Sequence, residues 1–171
     1  MRGLLTPAVV GSLLLAILST VADYVWFLNI PQHQVVSGAI HGATLFAALG
    51  LYLGWRKGQA AFGAAGGLLS GLVAALSFYV LAPLGGYSMM FVSWLLLWIM
   101  LAALQTYLDG RLDLAKAIGR GIITAIVAAV GFGVVLFRLY RGWPPHTFPA
   151  FTHFIAWSLA YLPGLYVLLK R

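Results

Sequence analysis

Six stretches of this chain are each long enough and apolar enough to cross a bilayer, and that leaves few folds open. They run roughly 4–28, 35–54, 59–83, 87–108, 117–140 and 149–169. A spanning helix needs about 20 mostly apolar residues. In hydrocarbon every backbone polar group must find its partner inside the protein, so only helices and closed barrels can span. A barrel would show short segments of alternating polarity. Residues 93–104 form instead one apolar run without a break. The pattern predicts an all-α polytopic membrane protein, a single bundle of six transmembrane helices over 1–171.

Composition excludes several function classes. Only 8% of the 171 residues are charged and 63% are hydrophobic, against about 25% charged in soluble domains. The formal charge of +7 comes from ten Lys and Arg against three Asp. Those bases sit at the span ends and make no continuous patch, so no nucleic-acid partner is expected. The chain has no cysteine, which removes disulfides, thiolate metal sites and cysteine nucleophiles.

Turn-formers separate the spans. Asn29 and Pro31 end the first, and Gly54, Arg56, Lys57 and Gly58 part the second from the third. Pro83, Gly85 and Gly86 predict a tight turn after the third. Asp109-Gly110-Arg111 opens the next loop, and Gly142, Pro144, Pro145 and Pro149 form the last. With alternating spans, Arg2, Arg56, Lys57, Arg111, Lys116, Arg120, Lys170 and Arg171 share one side, and only Arg138 and Arg141 the other. The side richer in Lys and Arg is expected to be cytoplasmic. Both termini would then face the cytoplasm, in a membrane expected to be the prokaryotic inner membrane. Trp26, Trp55 and Trp143 fall where interface anchors belong. Arg2, the apolar run and Thr20-Val21-Ala22 have the outline of a cleaved leader, but five further spans favour a retained first helix. The two halves hold three spans each, the count of an inverted repeat, without residue-level similarity.

Small residues recur every four positions on two spans: Gly63, Gly67, Gly71 and Ala75 on the third, and Gly121, Ala125, Ala129 and Gly133 on the fifth. Positions four apart share a helix face, and a face stripped of side chains lets two backbones approach. The stripes serve packing within the bundle. On a sharper, less favoured reading they serve a homo-oligomer or a membrane partner.

Ionisable groups inside a span are functional candidates by default. Asp23 is the one carboxylate within a predicted span. It lies near the same end of the bundle as His41, Arg138 and His153, with His33, Arg141 and His146 in the adjoining loops. Three readings follow. Asp23 pairs with Arg138 or snorkels to the headgroups; or the cluster fixes the polar end of a ligand; or Asp23, His41 and His153 hold a transition metal. No two of them show the i, i+3 or i+4 spacing of helical metal sites, so no metal and no cofactor is expected. Ser70, Ser77, Ser93, Thr44 and Thr124 are expected to satisfy themselves on the preceding turn, and Gln105 to be interfacial. Trp94 and Trp98 share a helix face and, with Trp157, either pack the core or line the apolar part of a pocket.

No paired carboxylates, Ser–His–Asp spacing or phosphate-binding glycine loop appears. An intramembrane enzyme built on Asp23 and His41 is the least favoured reading.

Two families come close. Arg2-Gly3-Leu4-Leu5 with Val9-Val10-Gly11, Pro31 with Val35-Val36-Ser37, Gly50-Leu51, and Asp109-Gly110-Arg111 with Gly119 and Gly121 resemble, in order and rough spacing, the insulin-induced gene (INSIG) family. The second span departs from the animal members, reading Gly38-Ala39-Ile40-His41-Gly42, so their sterol-dependent role does not carry over. The resemblance implies a six-helix bundle around a lipid-accessible cavity, with a diacylglycerol-like lipid as the bound partner in bacterial-type members. Arg56-Lys57-Gly58 before a glycine-rich third helix is similar instead to substrate-binding subunits of energy-coupling-factor transporters. There Ser12 and Ala16 would dock a coupling subunit. The leading expectation is a non-enzymatic protein that holds an amphipathic ligand in an intramembrane cavity. Asp23, His41, Arg138 and His153 would sit at its polar end, and Trp94, Trp98 and Trp157 along its apolar part.

Overall fold

The computed structural model describes residues 2–29, 34–111, 113–135 and 149–170. Among them are six α-helices: α1 (Arg2–Asn29), α2 (Gln34–Trp55), α3 (Ala60–Gly85), α4 (Met89–Leu108), α5 (Leu114–Val134) and α6 (Ala150–Leu169). A 3-10 turn, Gly86–Ser88, joins α3 to α4. All six are long and apolar enough to cross a bilayer, and the chain is an integral membrane protein.

The helices form an up-and-down ring. Asp23 near the end of α1 meets His41 near the start of α2, while Gly11 lies on the Tyr52 ring. Ser77 on α3 meets Ser93 on α4 oxygen to oxygen at 2.9 Å. Gly121 on α5 sits against Ile99 of α4, and Gly131 against Leu159 of α6. Ser19 and Tyr161 close the ring between α1 and α6. Six antiparallel helices bring the start of α1 and the end of α6 to one end of the bundle, here the terminal end; the other is the distal end.

Neighbours in the ring are not equally joined. The α2–α3 pair packs most extensively, with α1–α6 next, and α1–α2 meets least of the sequential pairs. The reason for the first lies in glycine. Gly42, Gly50 and Gly54 of α2 face Gly63, Gly67 and Gly71 of α3, and a Cβ at Gly50 would lie 2.7 Å from Gly67 Cα. The two backbones touch, which multiplies dispersion contacts in a solvent that supplies no hydrophobic drive. The α3 stripe is thus occupied within the chain. On α5, Gly121 packs on the Ile99 backbone, Ala125 is buried, and Ala129 and Gly133 are half-buried.

The core runs through α4 and α6, where Trp98, Leu101, Tyr161, Leu165 and Leu168 are fully enclosed. Leu14, Val36, Leu69 and Ile126 point outward, as residues facing lipid should.

Two helix boundaries differ from expectation. The helix α3 runs through Pro83 to Gly85, so the turn falls later, at Gly86 with φ 61°. A proline near a membrane helix end costs one hydrogen bond that the surroundings can make good. The Gly86 N–H donates to Ala82 O and closes the last turn. The fifth helix begins at Leu114, because Asp113 caps it by accepting the Lys116 N–H over 3.0 Å. The expected stretch to 140 extends past the described residues. Gln105, three residues before the end of α4, is buried, only 2% exposed. Its side-chain N–H donates to Asp109 over 3.2 Å, and Asp109 pairs with Lys57.

Candidate functional site

A carboxylate cluster forms in the distal half where α1, α2 and α6 meet. Asp23 lies six residues before the end of α1, about 9 Å along the axis. His41 projects from the second turn of α2, and His153 and Trp157 from the first two turns of α6. Asp23 Oδ2 accepts the Trp157 indole N–H over 2.7 Å and lies 2.9 Å from His153 Nδ1. Its Oδ1 lies 3.2 Å from His41 Nε2. Three donors from two helices thus converge on one carboxylate from a third.

Helical repeat positions these groups. His153, Trp157 and Tyr161 stand four apart on one face of α6, and Ser19 and Asp23 four apart on α1. The faces meet antiparallel, so Asp23 reaches His153 and Trp157 while Ser19 meets Tyr161 oxygen to oxygen at 2.9 Å. The result is a polar ladder down the α1–α6 interface.

Aromatic rings surround the ladder. Tyr24 meets the His153 ring edge-on at 5.8 Å. Trp157 stacks on Tyr161 at 5.4 Å and touches Phe132 at 4.9 Å. Trp94 lies 6.3 Å from Trp157 and 5.9 Å from Trp98. These rings keep water from the ladder, which strengthens its hydrogen bonds and raises the penalty for any unpaired group.

An ionised carboxylate in a span costs several kcal/mol if isolated, and hydrogen bonds to a charged acceptor return about 1.5–3 kcal/mol each. The saturation of Asp23 is uneven. Among the described residues Oδ2 has two short contacts and Oδ1 one long contact, to the most open member, His41, whose side chain is 22% exposed against 10% for His153.

Asp23, His41, His153 and Trp157 are brought into direct contact, and Trp94 borders them through Trp157. Trp98 lies one ring further off and is fully buried, its Nε1 without a partner. It packs the core. Trp157 was expected on the apolar wall and is instead a polar member, because its N–H reaches Asp23. Arg138, like His33, Arg141 and His146, lies outside the described residues. Sequence reasoning missed Ser19, Tyr24, Phe132 and Tyr161. For Ser19 and Tyr161 the four-residue spacing from Asp23 and Trp157 was the available signal; Tyr24 and Phe132 had none.

Among the described residues no group of three or more His, Asp or Glu side chains could hold a metal. Both imidazoles aim a nitrogen at a carboxylate oxygen, not at a shared centre. Of the hydroxyls expected to do so, Ser70, Thr124 and Ser77 bond carbonyls of the preceding turn.

The chain matches no family model, no curated protein and no solved structure.

Proposed function

We propose that this protein is a non-enzymatic intramembrane binder of a neutral, hydroxyl-bearing acyl lipid, whose polar end docks at Asp23 and His41. The observation that carries this is the uneven use of the Asp23 carboxylate. Oδ2 is satisfied by His153 and Trp157. Oδ1 has a single partner among the described residues, at 3.2 Å, and a carboxylate oxygen accepts two hydrogen bonds. A ligand hydroxyl donates to that oxygen. The charge of Asp23 is already met by imidazole and indole donors, so the site asks for a hydrogen bond rather than a counter-ion. A diacylglycerol fits this chemistry, and it is the ligand implied by the likeness to the INSIG family. The basic side chains Arg56, Lys57, Arg111, Lys116, Arg120 and Lys170 follow the terminal end of the bundle, which supports a cytoplasmic placement of both termini.

The test is native mass spectrometry of protein reconstituted with dioleoylglycerol. Retention by the unaltered chain and at least tenfold weaker retention by Asp23→Asn and by His41→Ala support the reading. No retention by the unaltered chain ends it.

A second reading has one observation in its favour. His153 meets Asp23 through Nδ1, the nitrogen that a carboxylate engages when it orients a general base. On this reading the protein is a membrane enzyme acting on the same lipid. Product formed from dioleoylglycerol by the unaltered protein, and lost in His153→Gln, would establish it.

A further inference from the structure

The seam between α1 and α2 differs from every other junction in the ring. Among the described residues it has the least packing of any sequential pair. It is pinned near its two ends by polar contacts from side chains. At the distal end the pin is His41 to Asp23 over 3.2 Å. At the terminal end Tyr52 donates its hydroxyl to the Pro7 carbonyl, beside Gly11, where a Cβ would meet the tyrosine ring.

The helices flanking the seam are held firmly on their other sides. On one side α1 is tied to α6 by the ladder of Ser19–Tyr161 and Asp23 with His153 and Trp157. On the other α2 is tied to α3 by backbone contact at Gly42, Gly50 and Gly54. The seam therefore separates two well-packed pairs. A packed core is bistable rather than continuously deformable, so motion concentrates where packing is least. The contact that opens with the seam is the long one at Oδ1. The short contacts at Oδ2 lie on the α6 side and stay.

We infer that the α1–α2 seam is a lateral passage from the bilayer, and that the acyl chain of a membrane lipid lies along it while the lipid's hydroxyl takes up Asp23 Oδ1. This rests on the binding reading above and adds route and tail position. Leu14, Leu18, Val21 and Val25 of α1 and Ile40 of α2 are exposed on the outer faces of the two helices that flank the seam. A chain moving inward exchanges one apolar surface for another, at little cost in solvation. The headgroup needs no aqueous path, because the site lies about 9 Å below the helix end and faces the seam through His41.

The test uses the absence of native cysteine. The register set by Asp23–His41 and Gly11–Tyr52 brings Leu18 and Thr44 to nearly one level of the seam. A Leu18→Cys, Thr44→Cys protein is bridged by a short bis-maleimide reagent in nanodiscs of dioleoylphosphatidylcholine. Uptake and release of isotope-labelled dioleoylglycerol are then followed by native mass spectrometry. Bridging before loading should slow uptake at least tenfold, and bridging after loading should slow release as much. A bridge between Phe62→Cys and Tyr107→Cys, whose native rings stack at 4.9 Å on α3 and α4, should change neither. Normal binding with rates unaltered by the seam bridge overturns the passage and leaves the binding reading standing. If the unbridged protein never retains the probe, both fail together.

Discussion

Trp157 donates its indole N–H to Asp23 Oδ2 over 2.7 Å, the shortest contact of the cluster that joins three helices. The bond ties α1 to α6 inside the ring of aromatics, where an unpaired charge would be expensive. Trp157→Phe keeps a ring to stack on Tyr161 and deletes only the donor. The expected loss is about 1–3 kcal/mol, the penalty for stripping one partner from a buried polar group. Because Asp23→Leu removes the same bond, combining it with Trp157→Phe should cost clearly less than the two single losses summed. Unfolding in mild detergent, followed through a double-mutant cycle, gives the number. Simple additivity would mean that the indole and carboxylate are not coupled.

The glycines offer a graded test of backbone contact. At Gly50 a new Cβ would meet Gly67 Cα at 2.7 Å and N at 2.8 Å, with rigid backbone on both counts. At Gly42 the nearest atoms are Gly71 O at 3.0 Å and Ala75 Cβ at 3.1 Å. At Gly119 nothing lies within 4 Å. Gly50→Ala should destabilise by about 1–3 kcal/mol through overpacking. Gly42→Ala should cost less, and Gly119→Ala should be neutral or gain up to about 1 kcal/mol from helix propensity. Thermal unfolding of the three variants in one detergent ranks them; any other order would show that α2 and α3 are not in the contact described.

Much of the fold was legible, and the limits have physical causes. Apolar length alone marks six spans, since lipid rewards nothing else. Asp23, His41 and His153 stood out because ionisable groups are rare in spans. The role of Trp157 was hidden, because tryptophan serves as both apolar filler and hydrogen-bond donor. Only its spacing of four from His153 and Tyr161, matched to Ser19 and Asp23 across α1, distinguishes donor from filler. The glycine face of α3 was readable. Its partner face on α2 was harder to see, because Phe46 interrupts Gly42, Gly50 and Gly54. Pro83 misled because the rules for proline come from helices in water.

At the start of α5, Asp113 accepts the backbone N–H of Lys116. That bond is the largest cause holding its carboxyl below the usual value of 3.8, with ionic help from Lys116. A depressed carboxylate adds stability that is complete above the unfolded value and disappears as pH falls through the folded one. The capping contribution should therefore persist at pH 5 and fade only below 3.8. A carbon-detected NMR titration of the side chain should give a midpoint under that value. In Lys116→Gln the backbone cap remains and the midpoint should rise only part of the way back. A midpoint at or above 3.8 in the unaltered protein would show that the cap is not formed.

The pair Lys57–Asp109 should respond asymmetrically to removal of its members. Asp109 follows the last residue of α4 and caps it with its own N–H to Gln105 O over 3.0 Å. Its carboxylate thus sits at the negative end of the helix dipole, an unfavourable place for an anion. Lys57, from the turn between α2 and α3, supplies the compensating charge, and both side chains are largely enclosed, 19% and 14% exposed. In Lys57→Met the anion keeps the dipole penalty and loses its cation, while the Gln105 N–H still donates to Oδ1. Breaking an enclosed pair from one side is costly, and a loss of about 2–3 kcal/mol is expected. In Asp109→Asn the ion pair also disappears, but so does the clash with the dipole; the amide oxygen still accepts from Gln105, and the loss should stay under about 1 kcal/mol. Unfolding of the two variants side by side decides the matter. Equal losses would mean that the dipole does not weigh on Asp109, and a larger loss in Asp109→Asn would show that Lys57, not Asp109, is the group that depends on the pair.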